Sequence, residues 1–139
     1  MKKEVIWWII AILLCCMIFY FTGTQASTGS NTQRIIEKLT GLSPDQASNV
    51  NFIFRKATHI TTFGFLGICF FMALRKRAFL AWEITTIYAA TDEYHQSFVP
   101  GRTASFKDVI IDSCGCIIAI LIVRYFQKKY AERKGVVSK

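Results

Sequence analysis

Four long apolar runs, joined by polar stretches, constrain this chain more than any other feature. Residues 5–21 carry no charge. Residues 60–74 form a second run, whose helix is expected to begin earlier, near Val50. Residues 78–90 are a third, broken only by Glu83, and residues 109–126 a fourth, broken by Asp112 and Arg124. A helix rises 1.5 Å per residue, so about 20 residues cross about 30 Å of hydrocarbon. Each run is short or carries an ionisable group, and the third is the weakest taken singly. Four runs with tight polar connections favour a bundle. Lipid offers no partner to a backbone N–H or C=O, so the spans must be helices. The expected fold is an all-α membrane protein, a four-transmembrane-helix bundle forming a single domain over residues 1–139. Its expected spans are about 5–24, 52–74, 78–96 and 108–126.

Hydrophobic residues make up 53% of the 139, which leaves room for one bundle and no second domain. The formal net charge is +8. No nucleic-acid-binding signature accompanies it, so nucleic acid is not an expected partner. In a membrane protein such an excess reflects Lys and Arg sorted to the cytoplasmic side. With the amino terminus inside, the inner segments hold Lys2, Lys3, Arg75, Lys76, Arg77, Arg124, Lys128, Lys129, Arg133, Lys134 and Lys139. The outer segments hold Arg34, Lys38, Arg55, Lys56, Arg102 and Lys107. Both termini are therefore expected in the cytoplasm. A competing reading of residues 1–26 is a cleaved signal peptide, with small residues near Thr24-Gln25-Ala26. It would leave three spans in the same orientation.

The five cysteines lie in apolar runs, and Cys114-Gly115-Cys116 is not a zinc spacing. They read as small apolar helix residues, and no metal site is expected. Between the first two runs, residues 33–42 are expected to form a short surface helix with Ile35, Ile36 and Leu39 on one face. Ser43-Pro44, with Gln46 three residues after Ser43, reads as a helix start.

The polar residues beside or within the spans fall at one level, on the outer side. Gln25 follows the first helix. Arg55, Lys56 and His59 open the second, and Asp92, Glu93, His95 and Gln96 close the third. Arg102, Ser105 and Lys107 follow, and Asp108 and Asp112 open the fourth. Lys56 and His59 are three apart; Asp92 and Gln96, like Asp108 and Asp112, are four apart, so each pair shares a helix face. Asp112 sits about one turn into its span. A carboxylate near mid-helix costs about 2.5–3.5 kcal/mol, so it should face the bundle and meet Arg102, Lys56, Arg55 or His59. Gly115 continues that face, where a small residue admits close approach. Two readings stay open: an ion-pair network that pins the helix ends, and a polar pocket at the lipid headgroup level. His95 reads as a surface position, and Glu83 as a local partner of the 75–77 basic turn. Pro100-Gly101 marks a turn. Trp7, Trp8, Tyr20 and Tyr125 fit interfacial belts.

Two stretches resemble the VanZ family of small bacterial membrane proteins. One is Arg55-Lys56-Ala57-Thr58-His59, leading to Phe63 and Leu66-Gly67. The other runs from Asp92 through Glu93-Tyr94-His95-Gln96-Ser97-Phe98-Val99-Pro100-Gly101 to Arg102, followed by Ser105, Asp108, Asp112 and Gly115. Thr24-Gln25 is similar to the Ser-Gln that ends the first span in the family. Thr62-Phe63 stands where many members have an acidic residue and Tyr, and Asp112 where Asn is common. The resemblance implies a multi-pass protein of the bacterial cytoplasmic membrane. The family's founding member is associated with resistance to the glycopeptide antibiotic teicoplanin, by a route separate from rebuilding the wall precursor.

Three functions remain in view. The leading one is binding of an anionic or amphipathic envelope ligand in an extracytoplasmic pocket: a membrane lipid, a lipid-linked wall precursor or a lipoglycopeptide. The pocket candidates are Gln25, Arg55, Lys56, His59, Asp92, Glu93, Gln96, Arg102, Ser105, Asp108 and Asp112. Arginine and lysine would meet phosphate or carboxylate, and the acids would hold those cations. The second is acid–base catalysis by an acid with His59 on a lipid-linked substrate. No nucleophile elbow, phosphate loop or zinc motif names a reaction or a cofactor. The third is a structural partner of wall-synthesis complexes.

Overall fold

The computed structural model describes residues 2–102 and 104–135; Lys139, counted above among the inner cations, lies outside the described residues. Five α-helices follow one another: α1 (Lys2–Thr22), α2 (Gly29–Thr40), α3 (Pro44–Ala73), α4 (Ala78–Gln96) and α5 (Phe106–Arg133). A single 3-10 turn, Gln25–Ser27, links α1 to α2.

α1, α3, α4 and α5 run up, down, up and down. At one end the tip of α1 meets the end of α4, where Thr22 Oγ1 donates to Asp92 Oδ1 at 2.7 Å. At the other end the start of α1 meets the α3–α4 turn, with Arg75 Nε 3.5 Å from Glu4 Oε1. The last third of α5 returns there too, where Gln127 Nε2 donates to Met72 Sδ at 3.7 Å. α3 is the central helix: it packs most extensively on α5 and also touches α1, α2 and α4. The core lies along it, with Phe63, Leu66, Cys69, Phe70 and Phe71 buried against Ala81, Ala89, Cys116 and Ile120 of α4 and α5.

Three helices, α1, α3 and α5, are long and apolar enough to cross a membrane. α1 buries Ala11 and Ile18, packs Trp7, Trp8, Ile10, Leu14 and Cys15 partly against the core, and exposes apolar side chains such as Ile9, Leu13 and Phe21 on its other side. A helix hydrophobic all round needs an apolar solvent. α4 has the length, 19 residues, but Glu83, Asp92 and Glu93 lower its apolarity. It runs from the α3–α4 turn, beside the start of α1, to Asp92, at the tip of α1.

α4 covers residues 78–96 as a helix. α3 begins at Pro44, eight residues before the expected 52, because a complete capping box starts it. Ser43 Oγ accepts from the Gln46 N–H, and Gln46 Oε1 accepts from the Ser43 N–H. The expected short surface helix is α2, held to α3 by Asn51, which donates to Gly29 O and accepts from Thr32 Oγ1. Trp8 departs from the interfacial reading: it packs edge-on against Phe70, ring centroids 5.7 Å apart.

Candidate functional site

α3 and α5 meet through two acid–base rungs stacked one turn apart. Lys56 on α3 pairs with Asp108 on α5. One turn deeper, His59 Nδ1 lies 3.1 Å from Oδ1 and 3.2 Å from Oδ2 of Asp112. The i, i+3 spacing on one helix and i, i+4 on the other put both pairs on facing stripes. Asp112 is 0% exposed, and of its four expected partners it takes His59. Arg55, Lys56 and Arg102 go elsewhere. An ionised carboxylate only accepts, so with Asp112 charged the ring hydrogen sits on Nδ1. In the neutral ring Nε2 then carries the lone pair, and it has no hydrogen bond among the described residues.

Small residues bring the two backbones together there. A Cβ on Gly115 would lie 2.8 Å from the Ile60 carbonyl oxygen, so only glycine fits without a shift. Gly64 and Gly67 on α3 face Gly115 and Cys116 in the same way. Close approach shortens the reach that His59 needs to bond Asp112.

α4 contributes a second group of buried polar residues. Asp92, Glu93 and Gln96 are 2%, 4% and 3% exposed. Gln96 Nε2 donates to Asp92 Oδ2 at 2.6 Å, and Thr22 holds the other oxygen. Glu93 Oε2 accepts from the Ser105 backbone N–H at 2.9 Å, which anchors the residue preceding α5. These acids were expected to hold the arginines. They are instead satisfied by neutral donors, because the arginines turn toward α1.

Arg102 reaches across from the α4–α5 loop. Its Nη1 donates to Thr22 O at 2.6 Å and stands 3.4 Å from Ser27 Oγ. Thr22 ends α1, where the last carbonyls lack helical partners and a cation complements the helix dipole. Arg55 Nη1 donates to Ser27 O at 3.4 Å. Neither guanidinium makes an ion pair among the described residues. Burial, with the Arg55 charge nearby, pushes Arg102 below its ordinary value. A guanidinium remains a cation all the same.

Both arginines line a cavity of about 330 Å³ between α1 and α3. His59, Thr58, Ser27 and Thr32 add polar atoms, while Met17, Phe21, Phe54 and Phe63 make the rest apolar. The outward walls, Met17, Phe21 and Phe54, are themselves exposed. The cavity is thus cationic at the α2 end and greasy toward mid-bundle. Among the described residues no three His, Cys, Asp or Glu side chains gather as a metal site.

Four sequence expectations change. Gln25 is exposed and lines a separate shallow groove with Arg34 and Pro100, because the 3-10 turn points it away from the bundle. Ser105 takes part through its backbone N–H, and its hydroxyl caps nothing. His95 is no surface-loop residue: its ring stacks on Phe19 at 3.7 Å, over Gly23. Glu83 is exposed and makes no ion pair among the described residues; Arg75 lies against Glu4 instead. Thr22, Ser27 and Thr32 were missed. Nothing local marks a Thr at the end of an apolar run as a partner for an Asp seventy residues on.

A family model described as VanZ/LLP1 matches residues 7–127. Compared with curated proteins and with solved structures, the chain gives no match.

Proposed function

The chain belongs to the VanZ/LLP1 family, and from that premise we propose that it binds an anionic, amphipathic envelope ligand in the cavity between α1 and α3. The carrying observation is the pair Arg55 and Arg102: two half-buried cations beside a lipid-facing cavity, bonded only to uncharged oxygens. Desolvated cations without counter-ions favour an incoming phosphate or carboxylate, which guanidinium meets with two parallel hydrogen bonds. The apolar walls suit an acyl, prenyl or other hydrocarbon chain. A lipid headgroup, a lipid-linked wall precursor and a lipoglycopeptide of the teicoplanin class all share that chemistry.

This reading takes α4 as a fourth span and the basic α3–α4 turn and α5 tail as cytoplasmic, following the positive-inside rule. The cavity then faces the outer leaflet of the cell membrane. The test is native mass spectrometry of the protein extracted from its own membrane. Wild type is expected to carry one more anionic lipid-like adduct than Arg55→Gln/Arg102→Gln. Identical adducts on both would end the proposal.

A second reading is favoured by the His59–Asp112 dyad, which borders the same cavity. A carboxylate on Nδ1 fixes the ring with Nε2 as a base, the arrangement general acid–base catalysis uses. His59→Gln that keeps the adduct but loses protection of cells against teicoplanin would favour an enzyme. Loss of both together would favour binding alone.

A further inference from the structure

The opposite end of the bundle carries a second cationic groove, built from other residues. Its floor is Phe71 and Ala78; its rim is Lys76 of the α3–α4 turn with Arg124, Gln127 and Lys128 of α5. The groove has a volume of about 510 Å³. Lys128 lies 3.9 Å from Glu132, one turn along its own helix. Lys76 and Arg124 make no ion pair among the described residues.

The backbone that presents Lys76 is itself unusual. Arg75 and Lys76 have φ of 53° and 68°. L residues other than Gly, Asn and Asp enter this left-handed region only at a cost, and such strain concentrates at binding sites. A glycine would close the same turn without strain, but it would place no ammonium beside Arg124.

Next to the groove the helix is dressed as a membrane interface. Lys129 Nζ sits 5.8 Å over the Tyr125 ring and Lys134 Nζ 4.8 Å over Tyr130. α5 has 28 residues, about 42 Å at 1.5 Å per residue, so its last turns outrun a hydrocarbon layer of about 30 Å. Lys128, Lys129 and Arg133 therefore stand at headgroup depth when Phe106 stands near the other face.

We infer that this groove binds the phosphate of an anionic phospholipid from the leaflet at the α3–α4 turn, with Lys76 and Arg124 clamping it and Phe71 and Ala78 beneath. Lipid is favoured over a soluble anion because exposed Leu121 and Tyr125 flank Arg124 and Lys128 on the same side of α5, where acyl chains lie. The site shares no residue with the Arg55–Arg102 cavity and does not depend on it.

The experiment is native mass spectrometry of full-length protein in neutral detergent, titrated with phosphatidylglycerol or with phosphatidylcholine of the same chains. Wild type is expected to retain phosphatidylglycerol in preference to phosphatidylcholine. Lys76→Gln/Arg124→Gln should weaken that retention roughly tenfold, since each basic residue at an anionic surface contributes several-fold. Arg55→Gln/Arg102→Gln should leave this adduct in place, which separates the two sites. Wild type alone supplies a check free of folding effects: adding salt should strip the anionic lipid first. Equal retention of both lipids by wild type, or no effect of the Lys76/Arg124 change, would overturn the inference. Complete displacement by millimolar inorganic phosphate would also overturn it.

Discussion

Asp112 is fully buried and its hydrogen-bond partner is His59, whose Nδ1 stands 3.1 Å from Oδ1 across the α3–α5 contact. The pair lies where the two helix backbones come closest, one turn from Gly115. A polar bond in this place holds helix register, and it also borders the arginine cavity.

Breaking the pair from one side should be costly. Removing one partner of a buried pair costs about 3–5 kcal/mol, because the other charge is stranded. His59→Ala is expected near the lower end, since the ring can be neutral. Asp112→Asn keeps the shape and a hydrogen-bond acceptor and should cost about 1 kcal/mol. Denaturant unfolding in mild detergent measures both. Equal losses for the two would show that the carboxylate charge, and not its shape alone, carries the pair.

Gly115→Ala should disturb the same contact by bulk. The new Cβ would stand 2.8 Å from the Ile60 carbonyl oxygen, a backbone atom that cannot swing aside. Overpacking of this kind costs about 1–3 kcal/mol. Gly115→Ala is expected to lower the unfolding temperature and loosen the His59–Asp112 bond. A variant as stable as wild type would show that α5 shifts freely.

Ser43→Ala removes the capping box that starts α3. The expected loss is about 1 kcal/mol. It should show first as faster amide exchange over residues 45–47, with the Arg55–Arg102 cavity unchanged. Unaltered exchange there would make the cap dispensable.

Topology is open to thiol labelling. In a background without native cysteines, single cysteines at positions 31 and 98 should react with an impermeant reagent in intact cells. Cysteines at 76 and 132 should react only after permeabilisation. Reaction of all four from outside, or the reverse pattern, would invert or abolish the proposed orientation.

Apolar run length and charge placement settled the helices, their order and the gathering of polar residues at one end. Those properties are local: a helix of given composition seeks lipid whatever its neighbours do. Spacing along single helices also showed that Lys56 and His59, or Asp108 and Asp112, share a face. Choice among partners was not legible. Asp112 had four cations within plausible reach, and only packing shows that glycine contacts bring His59 to it while Arg102 spans to Thr22. Coulomb attraction alone would have paired acids with arginines. The tertiary fold satisfied Asp92 and Glu93 with Thr22, Gln96 and the Ser105 N–H, and left the two guanidiniums facing a cavity. Donors seventy residues away have no signature in the chain, because their proximity is a property of helix packing and not of any one segment.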